Sequence, residues 1–362
     1  MTQPIPKPGI VDIKPYVGGK SKAEGAARVI KLSSNENPWG PSPKASTAYA
    51  AQAAQLHRYP DGGHAELRAA IAHTYQLPEA QLICGSGSDE LIGMLVHAYA
   101  GAGDEVLFTE HGFLMYRIYA LSNGATPVTA PEKNLTADVD ALLAAVTPRT
   151  KIVFLANPNN PTGTVIPFAE VRRLRALLPA QVILGLDAAY AEYVDGPDYE
   201  DGCSLVSEGS NTVVFHTFSK IYGLPGLRLG WAFAPAAIID ILNRVRSPFN
   251  VTAPALAAGV AAVADQEYIR KMREVNAAER ARVSAVIAAL GYAVVPSVTN
   301  FLLVKFGAEV AAVNAHLAAR GLIVREVGGY GLAEYLRISI GTTEENTLLI
   351  DALHAYAKTR AA

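Results

Sequence analysis

The sequence predicts an α/β protein: a large domain with a mostly parallel sheet covered by helices, followed by a smaller α+β domain. Short apolar, partly β-branched runs alternate with amphipathic segments over the first two-thirds of the 362 residues, a pattern that places helices on both faces of a parallel sheet. The texture then changes after about residue 245, where a long Ala/Arg/Glu-rich helical pattern begins.

The predicted strands are QLIC near Leu82, EVLF at 105–108, TPVT at 126–129, KIVFLA at 151–156, QVILGL at 181–186, TVVF at 212–215 and LGWAFA from 229. Between them, ELRAAIAHTY, DELIGMLVHAYA, DVDALLAAV and FAEVRRLRALL carry helical periodicity. Beyond 245 the spacing predicts one helix over about 254–290, a strand in NFLLVKF, a helix over about 308–320, strands in LIVRE and YLRISIG, and a terminal helix from about 344. The expected organisation is an N-terminal arm over 1–30, a large domain over 31–244 and a small domain over 245–362. Repeats and low-complexity segments are absent from the sequence.

Half of the residues are hydrophobic and the formal net charge is −2, with no clustered Lys/Arg excess of the kind that neutralises a phosphate backbone, so no nucleic-acid partner is expected. The proline-broken start MTQPIPKPG has no apolar h-region, and no apolar run reaches bilayer length, so no membrane association is expected. Two cysteines, Cys84 and Cys203, make neither a disulfide framework nor a metal-ligand spacing. The eight histidines are scattered. No metal is expected, and the location expected is the cytoplasm.

Polar residues follow four strand ends: 85–90 (GSGSDE), 157–163 (NPNNPTG), 187–190 (DAAY) and Ser219-Lys220. Ligands of open α/β sheets bind outside the carboxyl ends of the strands, so these four nominate one site. Lys220 ends a buried strand eight residues before Arg228, and desolvation or a neighbouring cation favours the free amine of a Schiff-base lysine. GSGSDE has Glu90 where a dinucleotide fingerprint needs its third glycine, and no Walker pattern occurs. Ser88 and Asp89 fit a helix start whose free N–H groups bind phosphate; on this motif alone an N-cap without a ligand ranks first. Asp187 could pair with a protonated ring nitrogen or be structural. NPNNPTG has turn chemistry at nearly every position, and its composition leaves a turn and a site both open.

Jointly, TFSKIYGLPGLRLG, NPNNPTG, DAAYAEY and LSSNENPWGPSP resemble the fold-type I pyridoxal-phosphate (PLP) aminotransferases, in order and approximate spacing across nearly the whole chain. KPY at 14–16, YPDG at 59–62, GSGSDE, VRE and LRISIG are similar, more narrowly, to histidinol-phosphate aminotransferases. The resemblance implies that Lys220 carries PLP, that Ser219, Arg228 and the backbone at Ser88 and Asp89 hold its phosphate, and that Tyr59 reaches this phosphate across a homodimer interface. It further implies Asp187 at the ring nitrogen, Asn160 and Tyr190 at the ring hydroxyl, and Phe113, where relatives often carry tyrosine, stacked on the ring. Arg337 and Arg325 would grip the acidic groups of substrate, with Tyr16, expected from the neighbouring subunit, and Asn37 lining the same pocket. The implied reaction is transamination between glutamate and imidazole-acetol phosphate; the alternatives are an aromatic aminotransferase of the same fold and a lyase similar to threonine-phosphate decarboxylase.

Overall fold

The computed structural model describes residues 4–16, 18–19, 28–209 and 211–360; the expected arm over 1–30 lies partly outside the described residues. All seven predicted runs become strands: β1 (Leu82–Gly85), β2 (Glu105–Thr109), β3 (Thr126–Ala130), β4 (Thr150–Ala156), β5 (Ile183–Asp187), β6 (Thr212–Thr217) and β7 (Gly230–Phe233). They form one sheet in the order β1-β7-β6-β5-β4-β2-β3. Every pairing is parallel except those of β7, which runs antiparallel to both β1 and β6.

Successive side chains of a strand point to opposite faces, and both faces are buried here. Ile152 and Phe154 join one core cluster with Val106, Phe108, Val213 and Phe215. Val153 and Leu155 join the other with Leu107, Leu184, Leu186 and Val214. The central strands are therefore apolar at consecutive positions, as in sheets covered by helices on both sides.

The second sheet contains β8 (Ala293–Val294), β9 (Phe301–Lys305), β10 (Arg325–Glu326) and β11 (Tyr335–Ser339), ordered β8-β9-β11-β10 and antiparallel throughout. Residues Ile30–Lys31 pair in parallel with Leu322–Ile323, and Ile30 and Leu32 are buried in the same cluster as Leu302, Leu336 and Ile338. Val251, Ala255, Ala258 and Met272 pack instead with the first sheet. We propose that the domains divide at 31–244 and 245–362, with the chain crossing between cores at both ends.

The helix expected over 254–290 is two, Ala253–Ala264 and Gln266–Ala289, broken at Asp265. Asp265 is buried; its carboxylate accepts from the Ser42 hydroxyl and pairs with Lys44 Nζ at 2.8 Å. Ser42 caps the helix Pro43–Ala51, so the break fastens the start of that helix to the C-terminal segment. Periodicity over 254–290 carries no trace of a partner more than 200 residues away.

One close approach fixes the site geometry. A Cβ on Gly230 would lie 2.3 Å from Ser88 N, 2.6 Å from Gly87 C and 2.9 Å from His216 O, all backbone atoms. Only glycine lets β7 sit against the N-terminus of the helix Ser88–Tyr99. Gly230→Ala should therefore cost about 1–3 kcal/mol by overpacking, read as a lower thermal midpoint. An unchanged midpoint would show that this contact does not set the helix start.

Candidate active site

A cavity of about 310 Å³ opens at the carboxyl ends of β1, β4, β5 and β6. Its lining includes twelve of the fourteen sequence-nominated residues: Tyr16, Ser88, Asp89, Phe113, Asn160, Asp187, Tyr190, Ser219, Lys220, Arg228, Arg325 and Arg337.

Lys220 is half-buried, with Nζ 5.6 Å from the centroid of the Tyr190 ring. Burial, then the Arg337 and Arg228 charges, pull its pKa down to about 8 against the opposing effect of Asp187. Part of its population is therefore a free amine at neutral to mildly alkaline pH. The turn after it is tight: Gly223 N–H donates to Lys220 O at 3.0 Å, and a Cβ on Gly223 would meet Gly40 O at 2.3 Å.

Asp187 ends β5 and is buried. Burial pushes its carboxyl pKa up, while the hydrogen bond from the Tyr116 hydroxyl to Oδ2 (2.8 Å) and the Ala189 N–H to Oδ1 (3.2 Å) hold the ionised form. Such a carboxylate favours a cationic partner. Tyr116 was not nominated by the sequence; it stacks on Phe154 with ring centroids 4.6 Å apart and so fixes the carboxylate plane.

An anion corner lies at the other end. Arg228, in left-handed backbone conformation (φ 51°), donates from Nη1 to Ser219 Oγ at 3.2 Å. Gly87 precedes the helix Ser88–Tyr99 without a side-chain cap, and a Cβ there would lie 2.6 Å from Arg228 Nη2. The open helix start, a hydroxyl and a guanidinium thus converge, an arrangement suited to a phosphoryl group.

The NPNNPTG turn divides its labour. Asn157 holds the turn through both amide atoms, accepting from Ile166 N–H and donating to Ile166 O. Asn159 donates to His111 O and Thr162 Oγ1. Asn160 instead lines the cavity and accepts from Arg337. The segment is both turn and site.

Arg337 is buried, donates from Nη2 to Ser33 O at 3.0 Å and lies 5.3 Å from the Phe301 ring centroid, while its Nε is buried without a partner. Arg325 on β10 pairs directly opposite Arg337 on β11. Like charges opposed across a ladder destabilise it, and burial lowers the Arg337 pKa with Arg325 adding to the effect. An anion between the pair would relieve this repulsion.

The structure places two residues, Tyr16 and Asn37, otherwise than expected. Tyr16 was expected from a partner subunit, yet it lines the cavity of its own chain, its ring centroid 5.9 Å from the Arg325 guanidinium carbon. Asn37 does not line the cavity; its amide donates to Ile221 O and its Oδ1 accepts from Trp39 N–H, bracing the turn after Lys220. Tyr59 is 83% exposed, stacked on Phe249 and outside this chain's cavity. Asn35 was missed: it has a left-handed backbone (φ 56°) and donates to the Tyr190 hydroxyl at 2.8 Å. The dense polar run SSNEN was its only signal. The fold also gathers Asp201, Cys203 and His216, whose side-chain donor atoms lie within 4.8 Å of one another although the histidines are scattered in sequence.

The family model for class I and II aminotransferases matches residues 27–353. The chain belongs to the class I and II aminotransferases. A histidinol-phosphate aminotransferase from Paramagnetospirillum magneticum is 57% identical to this aminotransferase over 98% of this chain and 99% of its own. One from Granulibacter bethesdensis is 53% identical over 98% and 97%. Among solved structures, the histidinol-phosphate aminotransferase of Sinorhizobium meliloti in complex with pyridoxal-5'-phosphate superposes with a TM-score of 0.86 at 30% identity, covering 92% of each chain. Among the described residues of this aminotransferase no helix is long and apolar enough to cross a membrane.

Proposed function

We infer that this protein is a PLP-dependent histidinol-phosphate aminotransferase of L-histidine biosynthesis, moving the amino group of L-glutamate to imidazole-acetol phosphate to give L-histidinol phosphate and 2-oxoglutarate. The observation that carries this reading is the facing arginine pair, Arg325 and Arg337, on the wall of a cavity that also holds Lys220 and Asp187, in a chain 57% identical to a protein of that name.

The residues fit the cofactor. Ser219, Arg228 and the backbone N–H groups of Ser88 and Asp89 would hold its phosphate, Asp187 its ring nitrogen, Asn160 and Tyr190 its ring hydroxyl, and Phe113 one ring face. When bound, PLP supplies an electron sink for negative charge at the substrate Cα. Lys220 would anchor the cofactor and then, as a free amine favoured by burial and by the Arg337 and Arg228 charges, would move a proton at Cα. Asp187, whose ionised form the Tyr116 hydroxyl and the Ala189 N–H favour against the effect of burial, would keep the ring nitrogen protonated. Arg337 grips the carboxylate shared by glutamate and 2-oxoglutarate, with its orphaned Nε as a further donor. Arg325, beside Tyr16, takes the phosphate of the larger substrate.

Tyr59, exposed and away from its own cavity, would reach the phosphate of a second subunit's cofactor, so the reading includes a homodimer. It places the enzyme in the cytoplasm, in keeping with two free cysteines.

Steady-state rates test the substrate assignment. L-Histidinol phosphate should be preferred to phenylalanine in kcat/KM, and a large preference for phenylalanine would make the protein an aromatic aminotransferase. Arg325→Gln should raise KM for histidinol phosphate by about tenfold or more, the loss of one charge-assisted pair, with KM for glutamate nearly unchanged. Equal losses for both substrates would undo the division between the two arginines.

A further inference from the structure

Beneath the cavity floor lies a buried polar network that the reaction as described does not use. His216, on β6 four residues before Lys220, is stacked on Trp231 with ring centroids 4.2 Å apart and planes at 4°. Its Nδ1 lies 3.1 Å from Glu192 Oε1 and its Nε2 3.1 Å from Asp201 Oδ2. Both ring nitrogens face carboxylates, and only the imidazolium has two N–H donors.

The same Glu192 oxygen accepts from the Tyr75 hydroxyl at 3.1 Å, and Tyr75 shares a 2.8 Å hydrogen bond with the hydroxyl of Tyr222, two residues after Lys220. Glu192 itself follows Tyr190 by two residues in the short turn Ala191–Tyr193, and its carbonyl accepts from Arg273 Nε of the helix Gln266–Ala289 at 2.8 Å. One carboxylate therefore ties together the chain before Lys220, the chain after it, and the loop carrying Asp187 and Tyr190. Cys203, Tyr199, Tyr193 and the Arg273 guanidinium also act on this cluster.

We propose that His216 and Glu192, linked through Tyr75 to Tyr222, are positioning residues that hold Lys220 and the Asp187–Tyr190 loop in register. Burial alone would lower the His216 pKa, but the hydrogen bonds to Asp201, Cys203 and Glu192 outweigh it and raise it well above the ordinary value, so the clamp is charged at working pH. The proposal rests on the aminotransferase reading, and a readout without turnover lets the two fail separately.

His216→Gln and Tyr75→Phe should each lower kcat by about tenfold or more, with KM for both substrates within about twofold, since small misplacements of a reacting group are costly. The double variant should lose no more than His216→Gln alone, and His216→Arg, which keeps the charge and the donors, should recover most of kcat. In the cofactor-free protein, the pH midpoint for acylation of Lys220, followed by peptide mass spectrometry, should rise from about 8 toward that of an ordinary lysine in both single variants. Tyr75→Phe removes one hydroxyl, so it carries the test should His216→Gln not fold. A lower thermal midpoint with wild-type kcat and a wild-type Lys220 midpoint would make the network scaffold alone and overturn the proposal.

Discussion

Lys220→Ala should abolish transamination, with kcat falling by at least about 10⁴-fold, because one side chain serves as both covalent anchor and proton carrier. The fold should survive. Lys220 lies near two other cations, Arg337 and Arg228, and both charges disfavour its protonated form. Removing an ammonium from that setting relieves repulsion, so the thermal midpoint of the cofactor-free protein should hold or rise. Single-turnover assays of the variant check the first point and thermal melts the second. Retained turnover above about one part in a hundred, more than even the mildest typical loss of a general base leaves, would refute the assignment.

Arg337→Gln should raise KM for both glutamate and histidinol phosphate, lowering kcat/KM by about 10²-fold, the equivalent of about 3 kcal/mol of charge-assisted hydrogen bonding. Arg337 is buried and already donates to Asn160 and Ser33 O, so its fork is held before substrate arrives. That preorganisation is why Lys should not substitute: a point charge on a flexible stem lacks the second donor direction. Kinetics with each half-substrate distinguish this residue from Arg325, whose loss should be felt for the phosphorylated substrate alone.

The fold was legible because its strands are apolar at consecutive positions and end on Gly, Asn, Asp or Ser-Lys. All seven runs of the large sheet were visible, as were three of the four strands of the second; the two-residue β8 was not. The break at Asp265 was not, since its cause is a carboxylate meeting Ser42 and Lys44 from across the chain. Within the site, residues that sit in motifs at strand ends were found. Tyr116 and Asn35 were not, because they act through hydroxyl and amide contacts to Asp187 and Tyr190 that only tertiary structure creates. Asn37, two residues from Asn35 in the same polar run, braces the turn after Lys220 instead. His216 is the clearest case: a solitary histidine in an apolar strand, given company by Glu192 and Asp201 only once β6 is flanked by the turn after Tyr190 and the segment before the helix Cys203–Ser207.

The account depends on Lys220 being the lysine that bears the cofactor. Borohydride reduction of the PLP-loaded enzyme, followed by digestion and peptide mass mapping, tests this directly. The adduct should fall on the peptide containing Phe218-Ser219-Lys220 and be absent when L-histidinol phosphate is added before reduction. An adduct on any other lysine, or one untouched by substrate, would contradict it.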